Sequence, residues 1–199
     1  KQPLEVMKGR YRADNPFKET IDLVASLLFE PWFAEKYPNF PIFKTTITLN
    51  NQSDAIRRAY DYFAGRQEQL GQAMLDSFGL LQAGKISIQN SRYAQFYANR
   101  LARLPAGGVL NFNDIYQEEY STFLDKEFYI GYELLPIVLL GLVYAGNAVI
   151  TLKNGVALSA SNLEELPKLY TTDICEFKHI SRPKELRLGE LVRLFEIME

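Results

Sequence analysis

A mainly α-helical fold with small β-hairpins, an α+β arrangement of winged-helix-like modules in tandem, is what this sequence predicts. Three observations lead there. The charge-free run "LLPIVLLGLVYAGNAVITL", Leu134 to Leu152, contains a helix stop at Gly146-Asn147. The stretch "AVITLKNGVALSAS" is two β-rich runs joined by Asn154-Gly155, the strongest short hairpin signal. Elsewhere, apolar residues recur at helical spacing between capping residues and glycine or proline breaks.

The charge-free run first has to be told apart from a membrane span, which needs about 20 mostly apolar residues in one helix. Pro136 sits where a first-turn proline is tolerated, and Gly146 and Asn147 both accept the left-handed conformation cheaply. The helix before Gly146 then holds about 11 residues, roughly 16 Å. That is too short to span. A buried helix followed by a hairpin is the expectation.

The other elements follow in chain order. Asn15-Pro16 starts a helix on which Phe17, Ile21, Val24 and Leu28 share a spacing, and "EPWFAEKYPNFPIF" reads as a short helix and an extended stretch. Ser53 caps "DAIRRAYDYFAG", with Ile56, Ala59 and Phe63 on one face. The next helix, "EQLGQAMLDSFGLL", turns Leu70, Ala73, Met74, Ser77 and Phe78 inward, and "KISIQ" alternates like a strand. Ser91 opens a helix with Tyr93, Phe96, Tyr97, Leu101 and Leu104 apolar; "VLN" is a short strand, and Asn113 caps "DIYQEEYSTFL". Ser161 and Glu164 form a capping box for "NLEELPKL", and "RPKELRLGELVRLFEIM" closes the chain as an amphipathic helix.

From Ser91 to Ser161 the order is helix, strand, helix, helix, strand, turn, strand, the order of a winged helix with its β-hairpin wing. A shorter echo precedes it. The predicted organisation is therefore a helical, winged-helix-like module over 1–90, a winged-helix-like module over 91–161 and a helical extension over 162–199. The start at Lys1 rather than Met, and the stop at Glu199 inside a helical pattern, read as a piece cut from a longer protein.

Composition narrows the function classes. With 199 residues, 47% apolar and 23% charged, the chain is an ordinary globular one. A net charge of −2 gives no general pull toward nucleic acid or anionic lipid. The single Cys175 rules out an internal disulfide framework and fits a reducing, cytoplasmic setting; it reads as a small apolar filler. Lys1 to Asp14 is polar and has no signal-peptide core.

Candidate chemistry is sparse. "GLLQAGKI", Gly79 to Ile86, is one residue from a phosphate-binding loop, but Ile86 stands where the metal-binding hydroxyl belongs, and the flanking elements run helix then strand. It reads as a helix-ending turn. His179 is the only histidine and has no second His or paired Cys to form a metal set. The helix at the winged-helix recognition position, "ELLPIVLLGLVYAG", carries no basic residue, so it cannot read a major groove in the usual geometry. Basic residues lie instead on "AIRRAYDYFAGR" (Arg57, Arg58, Arg66) and "RYAQFYANRLAR" (Arg92, Arg100, Arg103), the candidate nucleic-acid face.

Taken together, "FAEKYPNFPIF", "LGQAMLDSFGLLQAGKI", "SRYAQFYANRLARLPAGGVLN", "LLPIVLLGLVYAGNAVITL" and "ASNLEELPKL…FKHISRPKEL" resemble the region downstream of the ATPase domain in PglY-like proteins. Those are P-loop ATPases associated with phage growth limitation and BREX phage-defence systems. The resemblance implies an intracellular parent whose nucleotide-binding residues lie in another domain, with a methyltransferase and other defence-system proteins as partners. It carries over no site residue. The functional expectation is a non-catalytic interaction module of that larger ATPase, with no cofactor or metal of its own; the alternative is a nucleic-acid-binding module using the arginine face.

Overall fold

The computed structural model describes residues 16–43, 45, 47–48, 50–119 and 121–183. The expected cap at Asn15 and the expected amphipathic helix over 184–199 lie outside the described residues. The chain divides into two compact units, Lys1–Phe40 and Pro41–Glu199.

In the first unit a single helix, α1 (Phe17–Lys36), runs on through Pro31, where a short helix and an extended stretch were predicted. A proline in a helix interior removes one backbone donor. Ring packing beyond it supports the last turns: Phe33 lies 4.9 Å from Tyr37 and 5.1 Å from Phe40, and Tyr37 N–H donates to the Phe33 carbonyl at 2.8 Å. The periodic residues Phe17, Ile21 and Leu28 are exposed.

The second unit is built on one core. Its helices are α2 (Gln52–Phe63), α3 (Gln69–Ser77), α4 (Arg92–Ala102) and α6 (Leu135–Tyr144), with a four-residue α5 (Phe112–Ile115) and a five-residue α7 (Thr171–Cys175). Ile56, Ala59 and Phe63 are buried as their spacing predicts, as are Met74, Phe78, Tyr93, Tyr97 and Leu101. Leu70, Ala73, Ser77, Phe96 and Leu104 are only half-buried. α2 begins at Gln52 and not after a Ser53 cap; Asn51 holds the turn before it by accepting from Thr48 N–H at 2.7 Å. Ser91 does cap α4: its Oγ accepts from Ala94 N–H at 3.2 Å and donates to the Phe78 carbonyl at 2.6 Å, tying α4 to the end of α3.

The charge-free run forms two elements, a buried helix and the first strand of a hairpin. Every residue of α6 from Leu135 to Val143 is buried, with α2 and α4 packed against it. Gly146, at φ +72°, ends it: Asn147 N–H reaches the Leu142 carbonyl and Gly146 N–H the Val143 carbonyl, both at 2.9 Å. This paired closure satisfies carbonyls the helix would otherwise leave open. The hairpin follows as β6 (Val149–Thr151) and β7 (Ala157–Leu158), and its turn is one residue longer than the tightest form. Leu152 accepts from Gly155 N–H at 3.0 Å and donates to Val156 at 2.8 Å, with Gly155 at φ +87°. Among the described residues no helix is long and apolar enough to cross a membrane.

Three predicted elements take another form. "DIYQEEYSTFL" is not a helix capped by Asn113. α5 ends at Ile115, with Asp114 accepting from Asn111 N–H at 2.7 Å, and the chain then forms an antiparallel hairpin, β4 (Tyr116–Glu119) and β5 (Thr122–Asp125). Tyr116, Tyr120, Phe123 and Leu124 carry a helical spacing, but β5 buries Asp125 and bridges Leu124 to Gly131, contacts no local pattern encodes. The Ser161–Glu164 capping box is absent: Leu163–Lys168 is a 3-10 helix, and Asn162 spends its side chain on Ser159 N–H and the Ala157 carbonyl, each at 2.8 Å. "KISIQ" shrinks to β2 (Lys85–Ile86), paired with β1 (Leu81–Gln82) across Ala83-Gly84 at φ +49° and +76°. "GLLQAGKI" is thus a helix end and a tight hairpin, without the helix that would follow a phosphate loop.

Among the described residues the sheets are all antiparallel. β1–β2 and β4–β5 stand as pairs, while β3 (Val109–Asn111) and β8 (His179–Ser181) join the β6–β7 hairpin in the order β3-β8-β6-β7. β8 comes from residues beyond 161, yet it separates β3 from β6. The fold class is α+β, mainly helical with small antiparallel sheets.

Candidate ligand-binding cleft

A cleft of about 820 Å³ opens where the β3–α5 junction, β5, the turn before α6 and residues 176–178 converge. Its wall is aromatic. Phe112 is the hub, 5.3 Å from Phe123 and 5.6 Å from Phe177, and Phe123 lies 6.3 Å from Tyr132. Edge and tilted contacts of this kind suit the ring quadrupole. Phe177 is buried, Phe112 and Tyr132 are half-buried, and Phe123 keeps 37% of its surface exposed.

Charged and amide groups form the rim. Lys153 pairs with Glu176 at 2.8 Å, and Gln52 donates to the Glu133 carboxylate at 2.7 Å. Lys178 is exposed, and its backbone is clipped on both sides: its N–H donates to Thr151 at 2.8 Å, and its carbonyl accepts from Phe112 at 3.2 Å. That double clip fixes the Lys178 backbone at the seam between β6 and α5.

Behind the wall lies a buried polar group. Tyr60 donates to the Glu133 carbonyl at 3.3 Å and sits 3.5 Å from Cys175 Sγ. Tyr116, packed 4.5 Å from Phe112, has a buried hydroxyl with no hydrogen-bond partner among the described residues. Burial pushes the Tyr60 and Tyr116 hydroxyls well up, and burial followed by the Glu133 carboxylate raises Tyr132. All three stay neutral donors.

Burial also raises the Cys175 thiol to about 11. The thiolate is the reactive form. Cys175 is therefore expected to react with a disulfide reagent at pH 8 only on unfolding, as followed by thionitrobenzoate release with and without urea. The raised folded value has a second consequence: stability contributed by the protonated thiol is present below the ordinary thiol value of about 8.5 and is lost as pH rises toward about 11. Fast native labelling at pH 8 would contradict both.

His179 lies half-buried on β8, paired with Asn111 and Thr151, and burial with the neighbouring Lys178 lowers its pKa. Among the described residues no group of three His, Cys, Asp or Glu is placed to hold a metal ion.

The six candidate arginines do not form one face. Arg57 is half-buried and donates to the Pro167 carbonyl at 2.5 Å and the Leu169 carbonyl at 2.8 Å, closing the end of the 3-10 helix, with Asp61 at 3.2 Å. Arg58 is held by Asp54 at 3.1 Å and Glu68 at 2.5 Å, and Arg66 lies 3.9 Å from Asp61. Arg92 lies over the Tyr93 ring, 4.9 Å from its centroid. Arg100 donates to the Asp114 carbonyl at 2.9 Å, and together with Arg103 and Asn99 it lines a second hollow of about 840 Å³. The structure brings Arg100 and Arg103 together and commits Arg57 to the end of the 3-10 helix.

The aromatic cleft escaped the sequence reading. Phe112, Phe123, Tyr132 and Phe177 come from four separate stretches, and the only forewarning was the abundance of 13 Phe and 12 Tyr.

Comparison with known proteins gives one positive finding. Residues 52–182 match the family model described as "Family of unknown function (DUF6079) 4th domain". No curated protein and no solved structure matches the chain. The match spans α2 to the end of β8, the whole of the core and the cleft, and by it the chain belongs to the DUF6079 family, as that family's fourth domain.

Proposed function

We propose that residues 52–182 are a non-catalytic interaction module that packs within a larger protein and helps assemble it. The observation that carries this reading is the burial of every residue of α6 from Leu135 to Val143. A helix at the position where a winged helix reads DNA is here spent on the core, and it has no basic residue to offer a groove. The order α4, β3, α5, α6, β6, β7 supports a winged-helix ancestry for 91–161, with the β4–β5 hairpin inserted. The description of a fourth domain supports a parent with further domains. The finer setting belongs to the same proposal: the resemblance to PglY-like proteins points to a cytoplasmic phage-defence ATPase whose nucleotide site lies in another domain, with other defence-system proteins as partners.

A second reading, nucleic-acid contact, is favoured only by the hollow that Arg100 and Arg103 share. A mobility-shift titration of this chain separates the two. The interaction reading expects no salt-sensitive binding of duplex or single-stranded DNA, and no ATP turnover. Tight binding that weakens steeply with salt and is lost in Arg100→Ala/Arg103→Ala would replace it with the second. In the parent protein, deleting 52–182 should disrupt assembly with its partners, measured by light scattering; intact assembly would overturn the proposal.

A further inference from the structure

We infer that the aromatic cleft binds an extended polypeptide segment that presents a large apolar side chain next to a carboxylate. The inference deepens the interaction-module reading and rests on it. A space of about 820 Å³ is large enough for one anchoring side chain and the backbone on either side of it. The partly exposed Phe123 and half-buried Phe112 and Tyr132 offer ring faces and edges to such an anchor. Aromatic pockets of this kind are where peptide and protein anchors contribute most.

The rim chooses among ligand classes. Lys153 and Lys178 are matched in number by Glu133 and Glu176, so the cleft carries no net charge and is poorly suited to a run of phosphates. The charges are not all spent in the same way, however. Lys153 is neutralised by Glu176, and Glu133 is turned toward Gln52, whereas no carboxylate pairs with Lys178 among the described residues. Lys178, a lining residue whose backbone is fixed between β6 and α5, is therefore the cation available to a ligand carboxylate. Asn113 and Thr122, beside the wall, supply amide and hydroxyl groups of the kind that hold a peptide backbone.

The test uses the blocked dipeptide N-acetyl-Phe-Asp-amide as probe, titrated into this chain and followed by amide chemical-shift perturbation. Shifts centred on Phe112, Phe123, Tyr132 and Lys178 are expected. Lys178→Glu should weaken binding about tenfold or more, and N-acetyl-Phe-Asn-amide should be weakened similarly against the unaltered chain. Phe123→Ala, at a partly exposed position, should abolish the shifts while leaving the rest of the spectrum folded. Absence of cleft shifts at millimolar peptide, or preferential occupancy of the cleft by an oligothymidylate, would overturn the inference. Introducing Phe123→Ala and Lys178→Glu into the parent protein distinguishes the two levels of proposal. Assembly that survives these changes but fails when 52–182 is deleted rejects the cleft and keeps the interaction module.

Discussion

Replacing Asp125 by Ala is expected to cost about 3–5 kcal/mol of folding stability, read as a lowered midpoint in urea unfolding. Asp125 is completely buried, and it organises the turn that leads from β5 toward α6. Its carboxylate accepts from the Tyr97 hydroxyl, from Phe128 N–H at 2.7 Å and from Glu127 N–H at 3.2 Å. Its backbone closes the same turn: its N–H donates to Ile130 at 2.9 Å, and its carbonyl accepts from Tyr129 at 3.0 Å, where φ is +58°. Truncation to Ala leaves buried donors with nothing to replace the carboxylate, and each such orphan costs about 1–3 kcal/mol. Tyr97→Phe removes one donor and leaves the backbone donors in place, so its cost should be clearly smaller. Equal losses in the two variants would mean that the hydroxyl, and not the turn, is what Asp125 serves.

The second large effect is expected at Gly71, where α3 crosses α2. A Cβ built there falls 2.4 Å from the Arg58 carbonyl oxygen and 2.9 Å from its carbonyl carbon. Those are backbone atoms of a buried helix and cannot swing aside. In an open helix Gly→Ala would stabilise by about 1 kcal/mol. Here the helices must separate, and overpacking of this kind costs about 1–3 kcal/mol or more. Gly71→Ala should therefore lower the unfolding midpoint despite its better helix propensity, and Gly71→Leu should leave little folded protein. Gly131→Ala is the control, since a Cβ there meets nothing within 4 Å. A stabilising Gly71→Ala would show that the α2–α3 crossing is looser than this geometry.

What was legible in the sequence was local and strongly periodic. Ile56, Ala59 and Phe63 on α2, and Tyr93, Tyr97 and Leu101 on α4, are buried because a 3.6-residue repeat leaves a helix only one way to turn. Gly146 and Gly155 punctuate correctly because each takes a positive φ that other residues resist. The errors cluster where a local pattern admits two answers. The Tyr116–Leu124 stretch has helical spacing yet pairs as β4–β5, because pairing lets β5 bury Asp125 against Tyr97, 28 positions away. Glu164 does not complete a capping box because the Ser161 hydroxyl is paired with that of Ser159 at 2.9 Å, and the segment winds as a 3-10 helix through Pro167. Arg57, named for the candidate nucleic-acid face, donates to the carbonyls of Pro167 and Leu169, which no sequence pattern places beside it.

The charge-free run from Leu134 to Leu152 marks the boundary between the two kinds of information. Sequence alone determined that it is a short helix, a stop and the first strand of a hairpin, because helix length, glycine conformation and the Asn-Gly turn are set within a few residues. Tertiary structure alone decided what surrounds it. β8 enters between β3 and β6 from far along the chain, Asp125 gathers donors from α4 and its own turn, and four rings from separate stretches meet in one cleft. Such contacts depend on which distant groups the folded chain brings within a few ångströms, and no periodicity in the sequence records that choice.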